Sequence, residues 1–204
     1  MARRSDQPDR RDLLLDETIT LVVEGGLSAV THRAVERAAG VPHGSVTYHF
    51  GTRDDLIDAL VDRMVAVCSA QVAEIARQVT MALAGPAGRA SAAGLDVDAV
   101  TDALIRWMDE SRNLQLARLE LELAAARDAR LRARMTEAAL VFWRMCEPIV
   151  LAMGSADPEL DGRAMGAAVD GFLLDHLSHD PPDPAVVRAG VRQLLRSWAP
   201  DPGP

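Results

Sequence analysis

From Thr31 to Leu56 the chain reads THRAVERAAGVPHGSVTYHFGTRDDL, and its polar groups suit holding a ligand rather than breaking a bond. Thr31, Ser45 and Thr47 offer hydroxyls, His43 and His49 imidazoles, Tyr48 a phenol, Arg33 and Arg53 guanidinium groups, and Gly44 a bare backbone. Such donors and acceptors fit phosphate oxygens and the edges of bases in a DNA groove. They need a support that presents them together. Thr31 is placed to cap a helix whose apolar face is Val35, Ala38 and Ala39, and Gly40 can end it in the left-handed conformation. Pro42, with its φ already set, opens a second short helix over residues 42–48. Its outward positions are His43, Gly44, Ser45, Thr47 and Tyr48, and Val41, Val46 and Phe50 look inward. A helix, a glycine turn and a second short helix is the order of a helix-turn-helix.

Other chemistries have weaker support. The stretch Asp175-His176-Leu177-Ser178-His179-Asp180 puts two histidines three apart on one helix face, a spacing that permits a metal, but histidines near a helix C-terminus also suit its dipole. Arg112, Glu120 and Glu122 offer charge without a nearby nucleophile. Cys68 and Cys146 lie far apart with no metal-ligand spacing, and read as buried free thiols. No catalytic residue, metal or cofactor is expected.

The run from Gly40 to Phe50 with Thr52-Arg53-Asp54-Asp55-Leu56 resembles the signature of the tetracycline-repressor (TetR) family of bacterial transcriptional regulators. That signature is glycine, valine, serine, any residue, glycine, threonine or serine, an aliphatic, tyrosines and histidines, phenylalanine, then a basic residue and an acidic pair. Upstream, Leu13, Leu14, Ile19, Val22 and Glu24-Gly25-Gly26 are similar to the family's first helix and its glycine end. Three positions depart from the pattern. Pro42 replaces the usual capping serine, Thr47 stands where the first tyrosine is usual, and His43 where lysine or arginine is common. The resemblance implies an all-α fold of about nine helices: a three-helix, homeodomain-like DNA-binding module at residues 1–53, and a helical effector-binding and dimerisation domain at 54–204. It also implies a dimeric regulator that binds a palindromic operator on double-stranded DNA.

Composition agrees with this division. The formal net charge is −8 and lysine is absent. Residues 1–53 hold seven arginines and seven carboxylates, so the remaining 15 arginines and 23 carboxylates carry the whole excess. A neutral DNA-facing end and an acidic body follow. Arg3-Arg4 and Arg10-Arg11 are candidate contacts from an N-terminal arm. No apolar run approaches the roughly 20 residues that span a bilayer, and the N-terminus leads into charge, so a cytoplasmic protein without a membrane partner is expected.

Beyond the module the apolar spacing predicts helix after helix and no strand. A long one starts near Arg53 and runs through Ile75, a strut on which displacement at one end must tilt the other. Residues 85–94 read as a small-residue loop. Further helices are predicted at about 96–111, at 114–126 with Arg118 and Glu122 on a solvated face, at 128–153 with Pro148 inside, from Asp157 or Asp161 to His179, and from Pro184 to Trp198. Trp107, Phe142, Trp143, Met145, Cys146, Met165, Phe172 and His176 gather most of the bulky groups outside the module and are the candidate pocket for a small apolar or amphipathic effector. The last two helices are the candidate dimer interface, through Gly166, Ala167, Asp170, Gly171, Leu174, Val187, Val191 and Leu194. The expected function is operator binding by a repressor that an effector releases. The alternatives are an architectural DNA-binding protein without an effector, or a helical metal-binding enzyme.

Overall fold

The computed structural model describes residues 10–84 and 96–197. The arm with Arg3-Arg4, the loop expected at 85–94 and Trp198 lie outside them. Among the described residues there are nine α-helices, one short 3-10 helix at Leu27–Ala29 and no strand. The helices are α1 (Arg10–Gly25), α2 (His32–Ala38), α3 (Ser45–Phe50), α4 (Arg53–Ala84), α5 (Val97–Glu110), α6 (Arg112–Ala125), α7 (Ala129–Ala152), α8 (Pro158–Ser178) and α9 (Pro184–Ser197). No helix among the described residues is long and apolar enough to cross a membrane.

The chain divides into two compact units. One comprises Met1–Val65 with Asn113–Thr136, the other Ala66–Arg112 with Glu137–Pro204. This division differs from a cut after residue 53, because the start of α4, most of α6 and the start of α7 group with the N-terminal helices.

In the first unit, Leu14, Leu15 and Val22 of α1, Leu56, Ile57, Leu60 and Val61 of α4, and Leu121 of α6 are buried. Thr18 is buried too, but its hydroxyl donates to the Leu14 carbonyl at 2.7 Å, so it leaves no unmet donor. Arg118, expected on a solvated face, is largely covered. Its side chain is 14% exposed, and it donates to Gln115 at 2.9 Å and to Glu122 at 2.5 Å. The start of α4 is a reciprocal cap: the Thr52 hydroxyl accepts from the Asp55 N–H at 3.1 Å, while Asp55 Oδ2 accepts from Thr52 N–H at 3.0 Å.

The second unit is built around Val79, Leu83, Ile149, Val150, Met153, Met165, Val187, Val191 and Leu195. The apolar stripe of α9 faces α5 and α8 of its own chain. Val187 and Val191 were expected at a dimer interface. They are instead 0% and 6% exposed, because α9 has one apolar side and its own core covers it. Leu194 also packs against this core. Two glycines permit close helix approach: a Cβ on Gly190 would lie 2.3 Å from Phe172 Cε1, and one on Gly166 would lie 2.9 Å from Trp143 Cδ1. Gly166, expected at the contact with a mate, thus lets α8 approach Trp143 of α7 in the same chain. Arg188 bridges Asp98 at 3.0 Å and Asp102 at 2.8 Å, tying α9 to α5.

Candidate nucleic-acid interface

The Thr31 side chain accepts from Ala34 N–H at 3.2 Å and starts α2 as expected. Gly40 has φ 63°, the left-handed value that ends this helix and turns the chain. The inward face differs from expectation in one respect. Val35 and Glu36 are buried, and Ala38 is exposed.

The second helix begins later than expected. Pro42 does not open it; residues 42–44 form a turn in which the Pro42 carbonyl accepts from Ser45 N–H at 3.2 Å and from the Ser45 hydroxyl at 2.6 Å. The cap of α3 is Gly44, at φ 90°. A glycine there has no side-chain oxygen, so the orphan donors of the first turn need a partner from elsewhere. Glu36 provides it. Its Oε1 accepts from Gly44 N–H at 2.8 Å and Val46 N–H at 3.2 Å, and its Oε2 lies 2.9 Å from His43 Nδ1. The hydrogen bond from His43, aided by those two backbone donors, holds the Glu36 carboxyl below the usual carboxylate range against the opposing effect of burial.

Val46 and Phe50 are buried and fix α3 on its support. On the opposite side Tyr48 is 86% exposed and the His43 side chain 78%. Thr31, Arg33, Pro42 and Thr47 are also exposed, and Gly44, Ser45 and His49 are half-buried. The Thr47 hydroxyl lies 3.2 Å from His32 Nδ1, a contact to α2 that spacing did not reveal. His49 meets Tyr48 edge-on, ring centroids 5.1 Å apart, and the Arg11 guanidinium sits 5.2 Å above the Phe50 ring. Arg53, expected to touch DNA, is a brace: Nε donates to the Val30 carbonyl at 2.8 Å and Nη2 to Leu27 at 2.6 Å. It ties the start of α4 to the connection before α2.

The arrangement presents a short helix by its outward side, with hydroxyl, imidazole and phenol groups available and a packed apolar back. That is the geometry by which a helix enters a major groove. Residues 92–198 match the family described as "Tetracyclin repressor-like, C-terminal domain", and residues 14–60 match "Bacterial regulatory proteins, tetR family". The chain belongs to the TetR family of transcriptional regulators. It is similar to the HTH-type transcriptional repressor KstR2 of Rhodococcus jostii, 34% identical over 101 residues, a match covering 50% of this chain and 42% of that repressor. Among solved structures it resembles the multidrug binding protein EbrR in complex with imidazole, at 29% identity and TM-score 0.66, covering 97% of this chain and 98% of that one. EbrR is also solved with malachite green. A TetR-family member from Streptomyces coelicolor A3, SCO1917, is 30% identical at TM-score 0.65, with 92% and 98% covered. The chain is thus a DNA-binding transcriptional regulator of this family.

The eight residues expected at an effector site take several positions in the second unit. Met165 is in the core, with Cys146 and Phe172 packed against it. Trp143 lies over Gly166, with the Arg163 guanidinium 4.5 Å from its ring centroid. Phe142 is half-buried. Met145, with Pro148, lines a groove of about 300 Å³ against Ala73, Ala76, Arg77, Thr80 and Met81 of α4. Trp107 and His176 are buried; His176 Nε2 is 2.8 Å from Asp109 Oδ1, while His176 Nδ1 and Trp107 Nε1 have no hydrogen-bond partner among the described residues. His179 lies 2.8 Å from the Asp175 carbonyl. Among the described residues no three histidine, cysteine or acidic side chains group as metal ligands.

Proposed function

We propose that the chain is a dimeric repressor that reads a palindromic operator with α3 and is released by a small apolar or amphipathic effector. The observation that carries this reading is the two-sidedness of α3 and the turn before it: Val46 and Phe50 are buried while Tyr48, Thr47 and, in the turn, His43 are exposed. Thr31, Arg33, Pro42, Gly44, Ser45 and His49 complete the proposed contact set, with Arg53 acting through its brace. Residues 1–53 are the DNA module in this reading, and 54–204 hold the effector and dimerisation functions.

One short helix reads only a few base pairs. Two related by a twofold axis reach successive major grooves roughly 34 to 36 Å apart. The proposed dimer surface is the side of α8 where Leu160, Ala164, Ala167, Gly171 and Leu174 recur at intervals of four and three, with Leu160 62% and Leu174 53% exposed. Ala167, Gly171 and Leu174 belong to the interface expected from sequence. An effector is supported by the likeness to EbrR, and by the buried polar atoms of Trp107 and His176, each of which a polar group of a ligand could satisfy. Its differential binding is transmitted along α4, which belongs to both units, and coupling of about 1 to 3 kcal/mol would weaken operator binding about 5- to 150-fold.

The test is selection of duplexes from a randomised DNA pool by the full chain, followed by anisotropy titration and sedimentation of the complex. Enrichment of an inverted repeat, bound by two chains and weakened by a panel of amphipathic dyes such as malachite green, is the expected result. Salt-dependent binding without any sequence preference would overturn the reading and favour an architectural role.

A further inference from the structure

Glu36 holds more than the backbone of α3. Its side chain is 5% exposed, and one of its oxygens meets the His43 ring at 2.9 Å, while that ring is 78% exposed. A carboxylate kept ionised by two backbone N–H donors and a histidine has no hydrogen to give. The hydrogen in the Glu36–His43 contact is therefore on Nδ1. In the neutral ring, Nε2 then carries a bare lone pair, and it lies on the part of the ring that solvent reaches.

We infer that Glu36 is a positioning residue for DNA reading: it fixes the tautomer of His43 so that Nε2 meets the duplex as a hydrogen-bond acceptor. The base it selects must offer a donor. In the major groove these are the exocyclic amino groups of adenine and cytosine; phosphate oxygens, guanine O6 and N7 and thymine O4 offer only acceptors. His43 stands where the family usually has lysine or arginine, so this chain replaces a cationic donor with an oriented acceptor. The inference rests on the reading that α3 enters the major groove.

The substitution E36Q tests it with little change of shape. The glutamine Oε1 can still accept from Gly44 and Val46, but its amide N–H₂ now faces His43 Nδ1. The ring must turn to the other tautomer, and Nε2–H becomes a donor. Wild type, E36Q and H43A full-length chains would each select duplexes from a randomised pool in mildly alkaline buffer. Wild type should prefer adenine or cytosine at one position of each half-site, and E36Q should lose that preference or exchange it for guanine or thymine. The change expected from one hydrogen bond is about 3- to 10-fold in relative affinity. H43A should show no preference at that position. Nitrogen-15 NMR of the histidine rings supplies the readout a merely structural role would not move: in the neutral ring the proton should be on Nδ1 in wild type and on Nε2 in E36Q. Identical base preference in wild type and E36Q, or a wild-type ring protonated on Nε2, overturns the inference. Should E36Q fail to fold, the wild-type tautomer and the H43A selection decide. A wild type that enriches no sequence overturns the reading of α3 itself, and so is told apart from a failure confined to Glu36.

Discussion

Gly44 and Glu36 together decide where the reading helix starts. Gly44 sits at φ 90°, a conformation that costs an L-residue about 1 to 2 kcal/mol, and a Cβ there would meet nothing within 4 Å. Gly44→Ala should therefore lower stability by about that amount through backbone strain alone, read as an earlier urea midpoint, with weaker DNA binding by the same variant. Cys146 shows how position sets reactivity. Burial above all, then the charges of Asp170 and Glu147, pushes its thiol up to about 11. At pH 8 the thiolate is scarce, so alkylation in the folded protein should be slow and should accelerate sharply once denaturant exposes the chain. Equal rates with and without denaturant would contradict the burial. Glu36 itself was illegible in the sequence. A glutamate on a seven-residue helix reads as a solvated charge, and only the fold brings it under two N–H groups eight and ten residues further on.

Among the helices, caps and close approaches carry the specificity. Asp55 is held below the usual carboxylate range chiefly by the hydrogen bond from the Thr52 hydroxyl and then by the Thr52 N–H, and Glu36 is lowered likewise. Both carboxyls release their protons more readily in the folded chain than in the unfolded one. Their stabilisation is complete at neutral pH and disappears as acid carries the pH down through their folded values. Asp55→Asn should be less stable than wild type at neutral pH, and the gap should close on acidification, as urea melts across the acid range would reveal. Where α8 meets α9, Gly190→Ala would force a methyl group to within 2.3 Å of the Phe172 ring. Overpacking of this kind costs about 1 to 3 kcal/mol, seen as a lower Tm. Nearly every helix was legible from apolar spacing and from capping residues: Thr31 caps α2 as expected, and of the two candidates Asp157 and Asp161 it is Asp157 that caps α8. The start of α3 was not, because Pro42 suits a first helical turn and a pre-helical turn equally well, and the choice falls to Glu36 and Gly44.

For the whole molecule, the hard distinction lies between surfaces that bury one chain's own core and surfaces that bury a mate. Val187 and Val191 have the residue types of either, and they are inside their own unit; Ala167, Gly171 and Leu174 look like filler between core positions, yet they are outside. Volume and apolarity alone do not separate the two cases. Ala167→Arg places a charge on the proposed α8 interface. It should yield monomers in sedimentation and remove the second half-site's share of a specificity that totals roughly 4 to 10 kcal/mol, without loss of helical signal. The residues expected at an effector site are ambiguous for a related reason, since Met165 and Phe172 also pack in the core of their unit. The central claim is that α3 occupies a major groove, in pairs. Dimethyl sulfate footprinting of the wild-type chain on its selected duplex tests this most directly, because guanine N7 faces the major groove and adenine N3 the minor. The account predicts protection of guanine N7 in two patches about one helical turn apart; protection confined to adenine N3, or to a single patch, would contradict it.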